Sequence, residues 1–150
     1  MLRTIRVGEQ AICERILRAL PEWFGIESAL VQYVGDTATL PTWMAEWAHR
    51  PVGFVTVREH TPLAAEIHCM AVLPNAHRQG IGRAIVEHVE RDLRSRGFRF
   101  LQVKTLGPSR PDEHYERTRR FYEAVGFTAL DEFPSLWPGN PCLLLVKSLR

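Results

Sequence analysis

The sequence predicts an α/β fold of the α+β kind: one domain over residues 1–150, a mixed sheet with helices against it. Three stretches carry that expectation. Glu66–Arg96 reads as a buried strand, a glycine turn and an amphipathic helix, and the strand that follows makes a right-handed parallel crossover. Ahead of it, three apolar runs separated by turn residues read as an antiparallel meander. Behind it, a helix ending at Gly126 leads into two more strands. The last of these carries Leu143-Leu144-Leu145-Val146, apolar on both faces like an interior strand.

Taken in order, Arg3–Val7 alternates as a first strand. Glu9–Leu20 puts Ile12, Cys13, Ile16, Leu17 and Leu20 on one helical face. Pro21 ends that helix and is placed to open the next, Glu22–Val34, with Ile26, Leu30, Tyr33 and Val34 inward. Gly35-Asp36 closes it. Strands are expected over Thr39–Trp47, Val52–Arg58 and Ala64–Leu73, with turns at Ala48–Pro51 and Glu59–Pro62. Pro74-Asn75 stops the third strand. Ile81, Ala84, Ile85, Val89 and Leu93 then share a helical face, and Gly97 ends that helix. A strand at Phe98–Thr105 precedes a loop, Leu106–His114, and a helix, Tyr115–Val125. Phe127–Phe133 and Cys142–Lys147 are the last strands, and the loop between them carries Trp137, Pro138 and Pro141.

Composition removes several function classes. At 150 residues the chain is long enough for a core of its own. A net charge of +2 gives no nucleic-acid footprint. No apolar run approaches the length of a membrane span, and no cationic leader with an apolar core opens the chain. Cys13, Cys69 and Cys142 are odd in number, lack metal-ligand spacing, and read as free thiols of a reducing cytoplasm. No His-Glu-x-x-His or comparable cluster points to a metal.

The chemistry concentrates at Arg78-Gln79-Gly80-Ile81-Gly82-Arg83, between the strand Ile67–Leu73 and its helix. First-turn N–H groups of a helix have no acceptor inside it, and the helix dipole adds about half a positive charge there. Arg78 and Arg83 add two full charges. Two glycines let a ligand approach the backbone closely. Together these features describe a seat for phosphate. A dinucleotide fingerprint would need a glycine or alanine where Ile85 stands. A P-loop would need a lysine after the second glycine, and neither Lys104 nor Lys147 follows a glycine.

What remains resembles the acetyl-coenzyme A signature of the GCN5-related N-acetyltransferases, the GNAT superfamily. Its pattern is Gln/Arg-x-x-Gly-x-Gly/Ala after a strand ending in Val-x-Pro. Here Val72-Leu73-Pro74 supplies the strand end, and Gly80 and Gly82 supply the glycines. His77 stands at the Gln/Arg position, with Arg78 one place late. Downstream, Phe121-Tyr122-Glu123-Ala124-Val125-Gly126-Phe127 matches the family's Phe-Tyr-x-x-x-Gly-Phe run. Tyr115 stands where relatives often have Asn. The resemblance implies a GNAT-type acyl-CoA N-acyltransferase fold, mostly antiparallel, whose two central parallel strands splay apart. It implies acetyl-CoA as co-substrate and no metal. The pyrophosphate would lie against His77, Arg78, Gln79, Gly80, Ile81, Gly82 and Arg83. The pantetheine arm would pair with the backbone of Met70, Ala71 and Val72. The helix pair before residue 36 would cover the acceptor side, where Trp23 and Phe24 either meet the acceptor or pack in the core.

Acetyl transfer to an amine needs a neutral amine, and at pH 7 an alkyl amine is short of that form by roughly 4 kcal/mol. Glu66 is the first candidate to assist, directly or through water. It lies six residues before Val72, and even spacing puts it on one face with His68, Met70 and Val72 unless a bulge intervenes. Histone acetyltransferases of the superfamily carry a base glutamate at the matching place in a similar Ala-Glu-Ile run. His68 is the reserve base or relay. A backbone N–H near Met70–Val72 is the candidate for holding the oxyanion. In GNAT relatives the tyrosine of the second motif, here Tyr122, reaches the sulfur of CoA. Cys69 as an acyl-carrying nucleophile has no evident paired base. The expected function is direct N-acetyl transfer from acetyl-CoA to a primary amine of a small molecule or peptide. The alternative is a non-catalytic acyl-CoA sensor on the same fold. No nucleic-acid or membrane partner is expected, and a homodimer is the oligomer considered.

Overall fold

The computed structural model describes residues 9–150 throughout and, before them, the backbone of Arg3–Val7. The elements run β1 (Arg3–Val7), α1 (Gln10–Arg18), α2 (Glu27–Asp36), β2 (Thr42–Trp47), β3 (Arg50–Thr61) and β4 (Ala64–Val72). A 3₁₀ turn (Pro74–Ala76) then leads to α3 (Ile81–Ser95), β5 (Phe100–Leu106), α4 (Glu113–Ala124), β6 (Thr128–Trp137) and β7 (Asn140–Ser148). Hydrogen-bonded neighbours follow the order β1-β2-β3-β4-β5-β7-β6 in a seven-stranded sheet. The β1–β2, β2–β3, β5–β7 and β6–β7 ladders are antiparallel. The β4–β5 ladder is parallel, as the crossover through α3 requires, and covers Ala64–Ile67 against Phe100–Val103. So short a ladder suits the expected splay of these strands.

The chain packs as two compact units interleaved in sequence. The first takes the chain up to Arg58 together with His68–Asp92. Its apolar cluster joins Cys13, Ile16, Leu17 and Leu20 to Leu30 and Val34 of α2, Phe54 of β3, and Cys69 and Ala71 of β4. Trp23, Phe24, Tyr33 and Leu73 pack against that cluster, half-buried. Gly53 sets how closely β3 approaches β4: a Cβ there would lie 2.9 Å from the Ala71 carbonyl and 3.3 Å from Ile85 Cδ1.

The second unit takes Glu59–Ile67 and Leu93–Arg150. Leu101 and Val103 of β5 and Leu145 of β7 are buried in it. β7 lies between β5 and β6, which accounts for its run of apolar residues on both faces. α4 begins where Asp112 accepts the backbone N–H groups of His114 and Tyr115. It ends at Gly126, φ +102°, where Lys147 Nζ donates to the Val125 carbonyl. Asp112→Ala removes the N-cap and should lower stability by about 1 kcal/mol in urea titration. No change would show that the cap is not held in solution.

Several boundaries differ from the sequence reading. The second helix starts at Glu27 instead of Glu22, because Trp23 and Phe24 both donate their N–H groups to the Leu20 carbonyl and turn the chain. Ile26 is accordingly exposed, not inward. β3 runs on to Thr61, so its turn is Pro62-Leu63 and not Glu59–Pro62. Trp137 and Pro141 belong to β6 and β7, leaving a two-residue turn, Pro138-Gly139, with Gly139 at φ +73°. The strand expected from Thr39 begins at Thr42, and the helix expected from Tyr115 begins at Glu113.

Candidate active site

The strand, turn and helix of the first unit are built as their residues dictate. β4 ends at Val72, and Pro74 opens the 3₁₀ turn. Two residues then take left-handed backbone, Arg78 at φ +64° and Gly80 at φ +76°. Gly80 adopts it without strain, whereas a side-chain-bearing residue such as Arg78 does so uncommonly. α3 starts at once: Ala84 N–H bonds the Gly80 carbonyl at 3.0 Å. Ile81 faces the core, while Arg78 and Arg83 are exposed. No acidic residue stands in the first turn of α3. The positive end of the helix therefore meets two arginines and no carboxylate of its own, which suits an anion.

His77 departs from what its position suggests. Its ring turns back to the strand, where Nε2–H donates to the Val72 carbonyl at 2.7 Å. Trp23 meets the ring edge-on at 5.8 Å between centroids. Gln79 reaches the Asn75 carbonyl at 3.4 Å. Leu73 N–H bonds the Val52 carbonyl of β3. By alternation along the strand, the polar backbone groups of Ala71 face β3 too, and those of Met70 and Val72 face the opposite edge. The Ala71 side chain is buried, and those of Met70 and Val72 are half-buried.

Glu66 is buried in the second unit. His60 Nε2–H at 2.7 Å, Gln102 Nε2 at 2.8 Å and Lys104 Nζ at 3.2 Å all donate to its Oε1. Oε2 accepts no hydrogen bond among the described residues. Burial pushes the carboxyl up, but the bonds from Gln102 and His60 and the charge of Lys104 together outweigh it and hold Glu66 below its ordinary value. Gln102 lies directly across the parallel ladder from Glu66, and Lys104 lies two residues on.

His68 is held differently. Its Nε2–H donates to Asp36 Oδ2 at 2.7 Å, and Tyr33 of α2 lies edge-on at 5.4 Å. Cys69, next along β4, sits in the core with its thiol pushed up by burial and by the neighbouring Cys13 and Asp36. A thiol so placed is a poor nucleophile. Tyr122 is buried in the second unit, its ring edge-on to Phe121 at 5.3 Å and to Phe127 at 5.5 Å.

Residues 38–129, more than half of the chain, match the family model for the acetyltransferase (GNAT) domain. The chain is a member of the GNAT family. Solved GNAT structures share its fold. One, assigned to the family and from Desulfovibrio desulfuricans, is 20% identical with a TM-score of 0.82, covering 99% of this chain and 100% of that one. The ribosomal-protein-S18-alanine N-acetyltransferase of Escherichia coli is 16% identical with a TM-score of 0.78, covering 99% of this chain and 94% of that one. A GNAT acetyltransferase from Elizabethkingia anophelis with acetyl-CoA bound is 17% identical with a TM-score of 0.76, and 97% of each chain is covered. No curated protein matches the chain in sequence.

In this GNAT chain the turn from His77 to Arg83 lies together with Met70–Val72 in the first unit, while Glu66 and Tyr122 lie in the second. Asp36, His60, Gln102 and Lys104 were not singled out from the sequence, although each bonds a candidate residue. Among the described residues no group of three or more His, Cys, Asp or Glu side chains is arranged to hold a metal ion. No helix among them is long and apolar enough to cross a membrane.

Proposed function

We propose that this chain is a single-domain N-acetyltransferase that moves the acetyl group of acetyl-CoA directly to a primary amine of a small molecule or peptide. The observation that carries the reading is the start of α3: left-handed backbone at Gly80, a second glycine at Gly82, flanking arginines and no first-turn acid. Its membership of an acetyltransferase family supports the reading, as does the relative from E. anophelis with acetyl-CoA bound. The backbone donors of residues 81–83 and the charges of Arg78 and Arg83 would hold the pyrophosphate. Bound there, acetyl-CoA supplies a thioester whose carbonyl carbon is open to attack by an amine. The backbone of Met70 and Val72 would align the pantetheine arm. His77 fixes the Val72 carbonyl and so the edge along which that arm would lie.

Glu66 would serve the acceptor. Its Oε1 is saturated by three donors, and its Oε2 offers a negative oxygen to an ammonium group or to a water between them. The relative from E. coli acts on the alanine of a ribosomal protein, so a peptide amine belongs with small amines among the acceptors to test. Three buried free cysteines accord with a reducing, cytoplasmic setting.

The test is thiol release from acetyl-CoA in the presence of an N-terminal alanyl peptide, spermidine or kanamycin. Release with at least one amine, above the rate without it, is the expected result. Tight acetyl-CoA binding with no release for any of them would make the chain a binding module instead.

Tyr122 is proposed to protonate or solvate the departing thiolate. A thiol near pKa 8.5 and a phenol near 10 leave proton donation uphill by only about 2 kcal/mol. Tyr122→Phe keeps the ring that packs on Phe121 and Phe127. It should lower kcat at least about tenfold while CoA affinity holds within a few fold. Turnover at the unaltered rate across the pH range would return the thiolate to water.

A further inference from the structure

We propose that His68, oriented by Asp36, is the group that takes the proton from the acceptor ammonium. The proposal deepens the acetyl-transfer reading above and rests on it. Asp36 closes α2, and its carboxylate is gripped twice: Gln32 Nε2 donates to Oδ1 at 2.9 Å, and His68 Nε2–H donates to Oδ2 at 2.7 Å. The side chains of His68 and Asp36 are only 18% and 15% exposed, so this pair is shielded from competing water. A carboxylate only accepts hydrogen bonds, so the proton of the neutral ring is on Nε2. The lone pair is then on Nδ1, which makes no hydrogen bond among the described residues.

That arrangement prepares a base. The carboxylate, 2.7 Å from Nε2, fixes the ring's orientation and tautomer and leaves Nδ1 as the acceptor. Glu66 is arranged the opposite way. Three donors stabilise its anion and weaken it as a base. Two residues apart on β4, one group is held as an anion by three donors and the other keeps an unbonded ring nitrogen. Among the described residues, the titratable groups in contact with His68 are Asp36 and Tyr33, both from α2, while burial pushes the thiol of Cys69 up.

Position agrees with chemistry. From the phosphate seat at residues 78–83, an arm laid along β4 passes Val72 and then Met70. His68 is the next residue of even spacing, about 7 Å further on at strand rise. In this proposal the thioester end of such an arm lies beside His68.

The step balances without any further reactant. The ammonium gives one proton to His68 Nδ1, and its nitrogen forms the C–N bond as the C–S bond breaks. The second proton of the amine goes to the thiolate, and the imidazolium returns its proton to solvent.

The experiment measures kcat/KM for the three amines named above, from about pH 6 to about pH 9, in the full chain and in His68→Gln and Asp36→Asn. Acetyl-CoA affinity by calorimetry and melting temperature are measured alongside. Glutamine still donates to Asp36, so a merely structural tie survives that change. His68→Gln should lower kcat/KM about 100-fold or more, mainly in kcat, with the loss largest at low pH and shrinking as pH rises and free amine becomes available. Asp36→Asn leaves the ring without the carboxylate that orients it and should lower kcat/KM about tenfold or more. Acetyl-CoA affinity should stay within about threefold in both variants. A rate for His68→Gln within about threefold of the unaltered chain across the pH range overturns the proposal. So does loss of acetyl-CoA binding in that variant. If neither variant folds, ¹⁵N NMR of the unaltered chain decides: a neutral ring protonated on Nε2 supports the base, and one protonated on Nδ1 overturns it. If the unaltered chain turns over none of the amines, acetyl transfer itself falls and this step with it, a result distinct from failure of His68 alone.

Discussion

Replacing Gly82 with glutamate should raise the Kd for acetyl-CoA at least about 100-fold, a loss of about 2.7 kcal/mol, while melting temperature holds or rises. Gly82 is the second residue of α3 and is not among the glycines with left-handed backbone. The helix therefore does not need a glycine there. Alanine would be better by about 1 kcal/mol, and an acid in the first turn would add a few tenths through the helix dipole. Glycine at this place is thus a local cost to the fold, which clearance for an anion against the N–H groups would offset. Glutamate fills that clearance and sets a carboxylate where phosphate should lie. Gly82→Ala should give a smaller change, KM for acetyl-CoA raised several-fold with kcat kept. Gly80 is a poorer test, because its φ of +76° makes any side chain strain the turn itself. Calorimetry showing equal affinity in Gly82→Glu would remove the phosphate seat from this turn.

That turn was legible in the sequence because all its determinants are local: a strand stop at Pro74, two glycines, and helical periodicity from Ile81 to Leu93. The element order was legible for the same reason, since periodicity and turn residues act within a few positions. At two places where the sequence misled, proline was the cause. Pro21 is an acceptable first residue for a helix, but here it lies in a turn packed so closely that a Cβ on Gly25 would come within 2.8 Å of its carbonyl. Pro141 suggested a loop, yet it sits in β7 using only its carbonyl, which accepts from Gly107. The partners of the candidate site were illegible for a different reason. Gln102 reaches Glu66 through strand register, 36 residues on, and Asp36 reaches His68 across 32 residues through the packing of α2 on β4. No local pattern encodes either contact. The family resemblance gave Glu66 by analogy, but it did not say that three donors would fix one of its oxygens.

Those three donors decide what Glu66→Gln should do. The glutamine carbonyl can replace Oε1 and keep the bonds from His60, Gln102 and Lys104. Its NH₂ group then stands where Oε2 stood. A donor replaces the acceptor that would meet the ammonium, and the negative charge is gone. KM for the amine should rise about 10–100-fold, the worth of a hydrogen bond to a charged group, while acetyl-CoA affinity is kept. The shape of the pH–rate profile should be kept, because in this reading the proton of the ammonium goes to His68 and not to Glu66. Stability responds as well. The carboxyl of Glu66 is held below its ordinary value of 4.5 in the folded chain. Its contribution to stability is therefore fully present above about pH 4.5 and is lost as pH falls through the lower folded value. Glu66→Gln should be destabilised at pH 7 by about 1–3 kcal/mol, with a gap to the unaltered chain that closes as pH falls below about 4.5. Urea titrations at neutral and acid pH measure that gap, and steady-state kinetics measure KM. An amine KM within about threefold of the unaltered value would exclude Glu66 from the acceptor site. A stability gap that does not shrink toward acid pH would mean that its charge is not what the three donors hold.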